Sequence, residues 1–171
     1  MPRYAALLRG VSPMNCKMDE LKRALEKSGF TNVVTVLASG NAVFDAKAAS
    51  IEKLEKQVEA ATRKHLGREF ATIIRSLDTL NALLESDPFK PFKPTASSKR
   101  VVSFLKQHAK PAVKLPLERD GARVLTVTGT EVFTVYERSE EGPVFMQLIE
   151  KAFGKDVTTR TWDTVKKVAA K

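Results

Sequence analysis

The chain has 171 residues, 43% of them hydrophobic and 29% charged, the composition of an ordinary soluble globular protein able to bury a core as one large domain or two small ones. No run approaches the ~18 apolar residues of a membrane span and the N-terminus lacks a charged, apolar and small-residue series, so neither anchor nor signal peptide is expected and the cytoplasm is the expected compartment. The net charge of +9 is local rather than general: residues 88 to 117 hold seven of the 29 basic residues and no acidic one, leaving 22 basic against 20 acidic elsewhere.

Residues 3 to 9 alternate and then run apolar, as a buried strand does; Met18, Leu21 and Leu25 follow at helical spacing, and Gly29 offers a left-handed cap. Val33 to Ala38 is β-branched and apolar on both faces. Ser39-Gly40-Asn41 then supplies a turn into a strand from Ala42 to Asp45, which reads as a hairpin. Ser50 caps a helix with Ile51, Leu54, Val58 and Ala61 on one face and Gly67 at its end. Phe70 to Arg75 reads as a fourth strand, and a helix over 77–86 follows. The order β-α-β-β-α-β over residues 3 to 75 is that of a ferredoxin-like unit.

Pro88-Phe89-Lys90-Pro91-Phe92-Lys93-Pro94 removes donors and biases each preceding residue towards extended geometry, which predicts a stiff, extended, basic linker over 88–98. From Lys99 a strand begins again. Ala122 to Thr128 and Glu131 to Glu137 make a hairpin around Gly129, Pro143 suits a first helical turn before a buried face of Val144, Phe145, Leu148, Ile149 and Phe153, and Gly154 closes it. A strand near Val157 to Arg160 and a final helix complete the chain.

The two halves echo each other. Arg3-Tyr4-Ala5-Ala6-Leu7-Leu8-Arg9 is matched by Arg100-Val101-Val102-Ser103-Phe104-Leu105-Lys106, Ser39-Gly40-Asn41-Ala42-Val43-Phe44 by Thr128-Gly129-Thr130-Glu131-Val132-Phe133, and Arg75-Ser76-Leu77-Asp78-Thr79-Leu80 by Arg160-Thr161-Trp162-Asp163-Thr164-Val165. Three matches in one order suggest an internal duplication of an α/β unit. Arg3 to Gly40 spans 37 residues but Arg100 to Gly129 only 29, and Pro111 and Pro116 interrupt the shorter stretch, so the second copy has its first helix shortened or lost. The expected fold is α+β: a ferredoxin-like unit with a following helix over 1–87, a Pro/Lys-rich linker over 88–98, and a second, degenerate unit over 99–171. Strands apolar on both faces need cover, from the other unit or from a second chain, which leaves monomer and homodimer open.

Four features bear on function. Arg75-Ser76 and Arg160-Thr161-Trp162 place a hydroxyl where it caps a helix; the competing reading is an anion site with Trp162 as a flat wall. The loop from Arg9-Gly10 to Cys16 has one glycine and no phosphate-loop pattern, so it reads as a packed connection. Cys16, His65 and His108 lack ligand spacing, and Asp19, Glu20, Glu52, Glu55 and Glu59 alternate with lysines as solvated helix faces, so no catalytic motif, cofactor or metal site is expected. Finally, the basic segment interleaves Phe89, Phe92 and Phe104 with its cations, a composition suited to stacking bases and neutralising phosphates. The strands lack the aromatic RNA-recognition signature.

Three readings follow. The first is a non-catalytic binding protein for an anionic partner such as nucleic acid, contacted by Lys90, Lys93, Lys99, Arg100 and Lys110. The second is an enzyme for a small anionic substrate, in a cleft of Arg9, Gly10, Ser39, Gly40, Asn41, Arg160, Thr161 and Trp162. The third is a homodimeric interaction module. A membrane partner is not expected.

The ordered set Tyr4-Ala5-Ala6-Leu7-Leu8-Arg9-Gly10-Val11, Met18 with Leu21 and Leu25, Gly29-Phe30-Thr31-Asn32-Val33, Ser39-Gly40-Asn41-Ala42-Val43-Phe44 and Arg160-Thr161-Trp162-Asp163-Thr164-Val165 resembles the DUF1697 family of uncharacterised, mainly bacterial proteins. The resemblance runs from one terminus to the other. It implies a two-part α/β protein built on ferredoxin-like units, and it brings no established activity, cofactor or catalytic residue. Where the family pattern has Asn-Val-Gly-Gly followed by Asn-Lys, this chain has Ser12-Pro13-Met14-Asn15-Cys16-Lys17, which replaces flexible glycines with bulkier side chains. Ala38 stands where glutamine is common, and Asp163 where asparagine is common.

Overall fold

The computed structural model of the protein describes residues 1–138 and 143–171. Among these the fold is mixed α+β, with two antiparallel sheets and five helices. The chain divides into two compact units, Met1–Glu85 with Val165–Lys171, and Ser86–Thr164. Among the described residues, no helix is long and apolar enough to cross a membrane.

The first unit runs β1 (Arg3–Leu8), α1 (Met18–Lys27), β2 (Thr31–Thr35), β3 (Asn41–Asp45), α2 (Ile51–Leu66), β4 (Thr72–Ser76) and α3 (Leu77–Ser86), and its sheet order is β2-β3-β1-β4. One face packs Tyr4, Leu8, Phe44 and Ile74 against Leu21 and Leu25 of α1 and Leu54 and Val58 of α2. The Phe30 and Phe44 rings lie 4.3 Å apart at its centre. On the opposite face Ala5, Leu7 and Val43 are buried as completely. Helix α2 begins and ends as its sequence dictates: Ser50 Oγ accepts from the Lys53 amide at 3.2 Å, and Gly67 takes the left-handed conformation at φ +72°.

Two expectations need correction here. The strand read over Val33 to Ala38 is Thr31–Thr35, because Leu37 turns at φ +61° and the register with β3 shifts between Thr31 and Val34. Asn32 sits in that irregularity at φ +49°, a conformation asparagine tolerates, and Arg3 and Asn32 both bond Asp45 there, at 3.0 and 2.7 Å. Glu55 and Glu59 are not part of a solvated face. Glu55 is 4% exposed and accepts the Ile74 amide at 2.9 Å, while Glu59 accepts the Thr72 amide at 3.0 Å.

The second unit opens with Phe89 and a 3-10 turn at Lys90–Phe92. It continues through β5 (Lys99–Leu105), β6 (Leu117–Arg119), β7 (Ala122–Thr128), β8 (Glu131–Tyr136), α4 (Val144–Phe153) and β9 (Val157–Thr161); α5 (Trp162–Ala169) follows, its residues from Val165 onward grouping with the first unit. Its sheet order is β6-β7-β8-β5-β9. No helix separates β5 from β7; the three-residue β6 lies there instead, joined to β7 by Asp120 and Gly121, both at positive φ, in a two-residue hairpin. Helix α4 packs over β6, β7 and β8, burying Leu148 and Ile149 against Val124 and Val132.

The segment over 88–98 is not extended throughout. Its proline-fixed φ values are as compatible with a 3-10 turn as with a strand, and Pro91 lies in the first positions of that turn, where its missing N–H costs nothing. Phe89 is 1% exposed and meets Phe133 edge-on at 5.5 Å and Trp162 at 5.0 Å, on the sheet face opposite α4.

Candidate functional site

Arg9, Gly10, Ser39, Gly40 and Asn41 come together at one end of β1 in the first unit. The Leu8 amide donates to Gly40 O and the Arg9 amide to Ala71 O, both at 2.8 Å. Gly40 sits at φ +90°, and a Cβ there would stand 2.8 Å from Val11 Cβ, so the turn accepts only glycine. Asn41 is fully buried and spends its Nδ2 on Val36 O at 2.8 Å and Ser39 Oγ at 2.9 Å. The loop after Gly10 is bonded to itself: Asn15 Oδ1 accepts the Ser12 amide and Asn15 Nδ2 donates to Gly10 O, each at 2.9 Å. Cys16 is buried at the foot of that loop, and burial, with Glu20 nearby, pushes its thiol up, away from the thiolate that nucleophilic chemistry requires.

Arg160, Thr161 and Trp162 belong to the second unit. Thr161 Oγ1 accepts the Thr164 amide at 3.2 Å and lies 2.9 Å from the Thr164 hydroxyl. Ser76 does the same for Thr79 at 3.1 and 2.8 Å. The arginine before each cap bonds its own preceding carbonyl: Arg75 Nη1 reaches Ile74 O at 2.8 Å, and Arg160 Nη1 reaches Thr159 O at 3.0 Å. Burial lowers the Arg160 guanidinium to about 10, which leaves it charged at neutral pH. Trp162 is 5% exposed and packs against Phe89, so its ring is core rather than an open wall.

The five cations read as polyanion contacts divide between two faces of the second sheet. Arg100 on β5 is opposite Val135 on β8, and Val135 is opposite Arg123 on β7. Residues opposite one another share a face, so both arginines lie on the Phe133 face, their Cα atoms about 10 Å apart by strand spacing. The turn carrying the exposed Lys90 and Lys93 lies against this face, with Arg123 Nη2 3.4 Å from Phe92 O. Lys99, one residue earlier on β5, is opposite Tyr136, which stacks on Phe145 of α4. Lys110 precedes Ala112, whose amide bonds Ala152 O on α4. Lys99 and Lys110 thus belong to the α4 side.

Arg123 joins the cluster although it lies outside the acid-free segment; the alternation of the hairpin strand was the signal for it. Arg100 Nε is buried with no hydrogen-bond partner, an unmet donor within the group. One carboxylate residue of β6, Glu118, is opposite Arg123, and Glu137, just after β8, accepts the Thr95 and Ser97 hydroxyls at 3.3 and 3.2 Å. Among the described residues, no group of three or more His, Cys, Asp or Glu side chains is placed to hold a metal ion.

A two-unit α+β fold, with a cluster of cations on one sheet and internally bonded loops on the other, defines the class of protein. The family described as "Protein of unknown function (DUF1697)" matches residues 1–133, and the chain belongs to that family. The matched span takes in the first sheet and ends within β8, before β9 and α5. The structure is also similar to that of conserved bacterial protein SP0830 from Streptococcus pneumoniae, with a TM-score of 0.70 at 20% identity, covering 99% of this chain and 97% of that one. At that identity the likeness is one of fold. No match was found among curated proteins.

Proposed function

We propose that the protein is a non-catalytic binding protein that holds an anionic polymer, such as nucleic acid, on its second unit through Lys90, Lys93, Arg100 and Arg123. One observation carries the reading: seven cations and no carboxylate lie between residues 88 and 117, and two of these lysines ride a turn seated against the face that carries Arg100 and Arg123. Phe89 and Phe104 are buried and Phe92 is half-buried, so base stacking contributes little and contact is to the backbone. Such binding is sequence-independent, in the range of about 10⁻⁴ to 10⁻⁶ M, and driven by counterion release. Fluorescence anisotropy of a labelled single-stranded oligonucleotide tests it. Four phosphate contacts predict an affinity falling about 50-fold between about 50 and 200 mM salt. Absence of binding at low salt, or binding indifferent to salt, overturns the reading.

We also infer two ferredoxin-like units in tandem, 1–87 and 99–171, joined through the basic segment 88–98 and descended from one duplicated unit. The order β7-β8-β5-β9 repeats β2-β3-β1-β4, with β6 added at the edge where the second unit has no helix before its hairpin. The twin caps at Ser76 and Thr161, each preceded by an arginine bonded to its own upstream carbonyl, support the same descent. In compactness, residues 165–171 nevertheless group with the first unit. A cytoplasmic location fits the single, reduced Cys16.

A further inference from the structure

We propose that Glu55 and Glu59 are edge guards, closing the outer rim of β4 against strand pairing with a second copy of this chain. Strand β4 is last in the order β2-β3-β1-β4, so alternate backbone groups along it point away from β1. Ala71 O receives the Arg9 amide, and Ile73 and Arg75 are opposite Leu7 and Ala5. That alternation turns the Thr72, Ile74 and Ser76 amides outward, Ser76 being the last residue before α3. The first two are taken by α2: Glu59 Oε2 accepts from Thr72 at 3.0 Å and Glu55 Oε2 from Ile74 at 2.9 Å.

The spacing is commensurate. Four residues of helix advance about 6 Å and two residues of strand about 6.8 Å, so carboxylates one helical turn apart meet two successive outward amides of an antiparallel strand. An ionised carboxylate is an acceptor only, and its bond to an amide is stronger than that of a neutral carbonyl. An incoming strand would offer carbonyls to the same amides and would have to displace both carboxylates. The fully buried residues of α4 in the second unit, Val144, Leu148, Ile149 and Ala152, are all apolar, whereas α2 buries Glu55.

Amide hydrogen exchange on the intact chain comes first: Thr72 and Ile74 should be protected as strongly as the inward-facing Ile73. Rapid exchange at Thr72 and Ile74 overturns the proposal without any variant. Glu55→Gln/Glu59→Gln retains an acceptor oxygen and should keep both the protection and the wild-type sedimentation. Glu55→Ala/Glu59→Ala should exchange about tenfold faster or more at those two amides and self-associate with rising concentration in sedimentation velocity. Adding Thr72→Pro, which removes an outward donor at a position where an edge strand tolerates proline, should suppress that association. An alanine variant that stays as monodisperse as wild type, or that associates regardless of Thr72→Pro, contradicts strand pairing at β4.

Discussion

Replacing Phe89 by alanine should be the most costly single change in the segment that carries the basic turn. The side chain is 1% exposed, with edge-to-face contacts to Phe133 at 5.5 Å and Trp162 at 5.0 Å. Burial and cavity effects for a core Phe→Ala change amount to about 3–5 kcal/mol. Each aromatic pair is worth about 0.5–1.5 kcal/mol beyond its area. The site opens a chain segment rather than lying in a strand, so partial collapse offsets some of this, and we expect about 4 kcal/mol. Against a typical stability of about 5–15 kcal/mol, that is a large share. Phe92, half-buried three residues on, serves as the internal control at under about 1 kcal/mol. Urea unfolding followed through Trp162, the single tryptophan, reads both, and its emission should shift to the red in Phe89→Ala before unfolding begins. A Phe89→Ala cost below about 1 kcal/mol, or a Phe92→Ala cost equal to it, would refute the anchoring role.

Three further predictions concern single sites. Thr134 is fully buried with its hydroxyl unpartnered, so Thr134→Val should raise stability by about 1 kcal/mol in the same assay; a loss would mean the hydroxyl has a partner. Ser76→Ala and Thr161→Ala should each cost about 1 kcal/mol as lost helix caps, and unequal costs would argue against equivalent roles. Hydrogen bonds from Asn32 and Arg3 hold the Asp45 carboxyl below its ordinary range. Its contribution is therefore present above the unfolded value near ~3.9 and is lost as pH falls through the lower folded value. Stability of Asp45→Asn should lack that acid loss, and an unchanged pH profile would count against it.

Much of the fold was legible because local chemistry agreed with it. Ser50 and Gly67 bound α2 at the residues their side chains and backbone freedom demand, and the Gly129 hairpin fell where alternation placed it. The Pro-rich segment misled because a φ near −65° suits both an extended strand and a 3-10 turn, and burial of Phe89 decides between them. Strand β6 escaped notice although Asp120-Gly121 is a strong hairpin signal, because Leu117–Arg119 is too short to alternate visibly. Glu55 and Glu59 resembled surface residues because their lysine neighbours set the local pattern, and only the position of β4 reveals that they face it. At the candidate site, the sequence reading named Lys90, Lys93 and Arg100 but neither Arg123 nor the division of the cations between faces, which depends on a one-residue register along β5.

The central claim is that the cations on the Phe133 face of the second sheet bind a polyanion, and the salt dependence of oligonucleotide binding by paired variants tests it most directly. Anisotropy titrations should give a log–log salt slope of about −2.8 for the wild type, falling in magnitude by about 1.4 for Arg100→Ala/Arg123→Ala, while Lys99→Ala/Lys110→Ala on the α4 side leaves it unchanged. Equal slopes for all three proteins, or a loss confined to the Lys99 and Lys110 pair, would contradict the account.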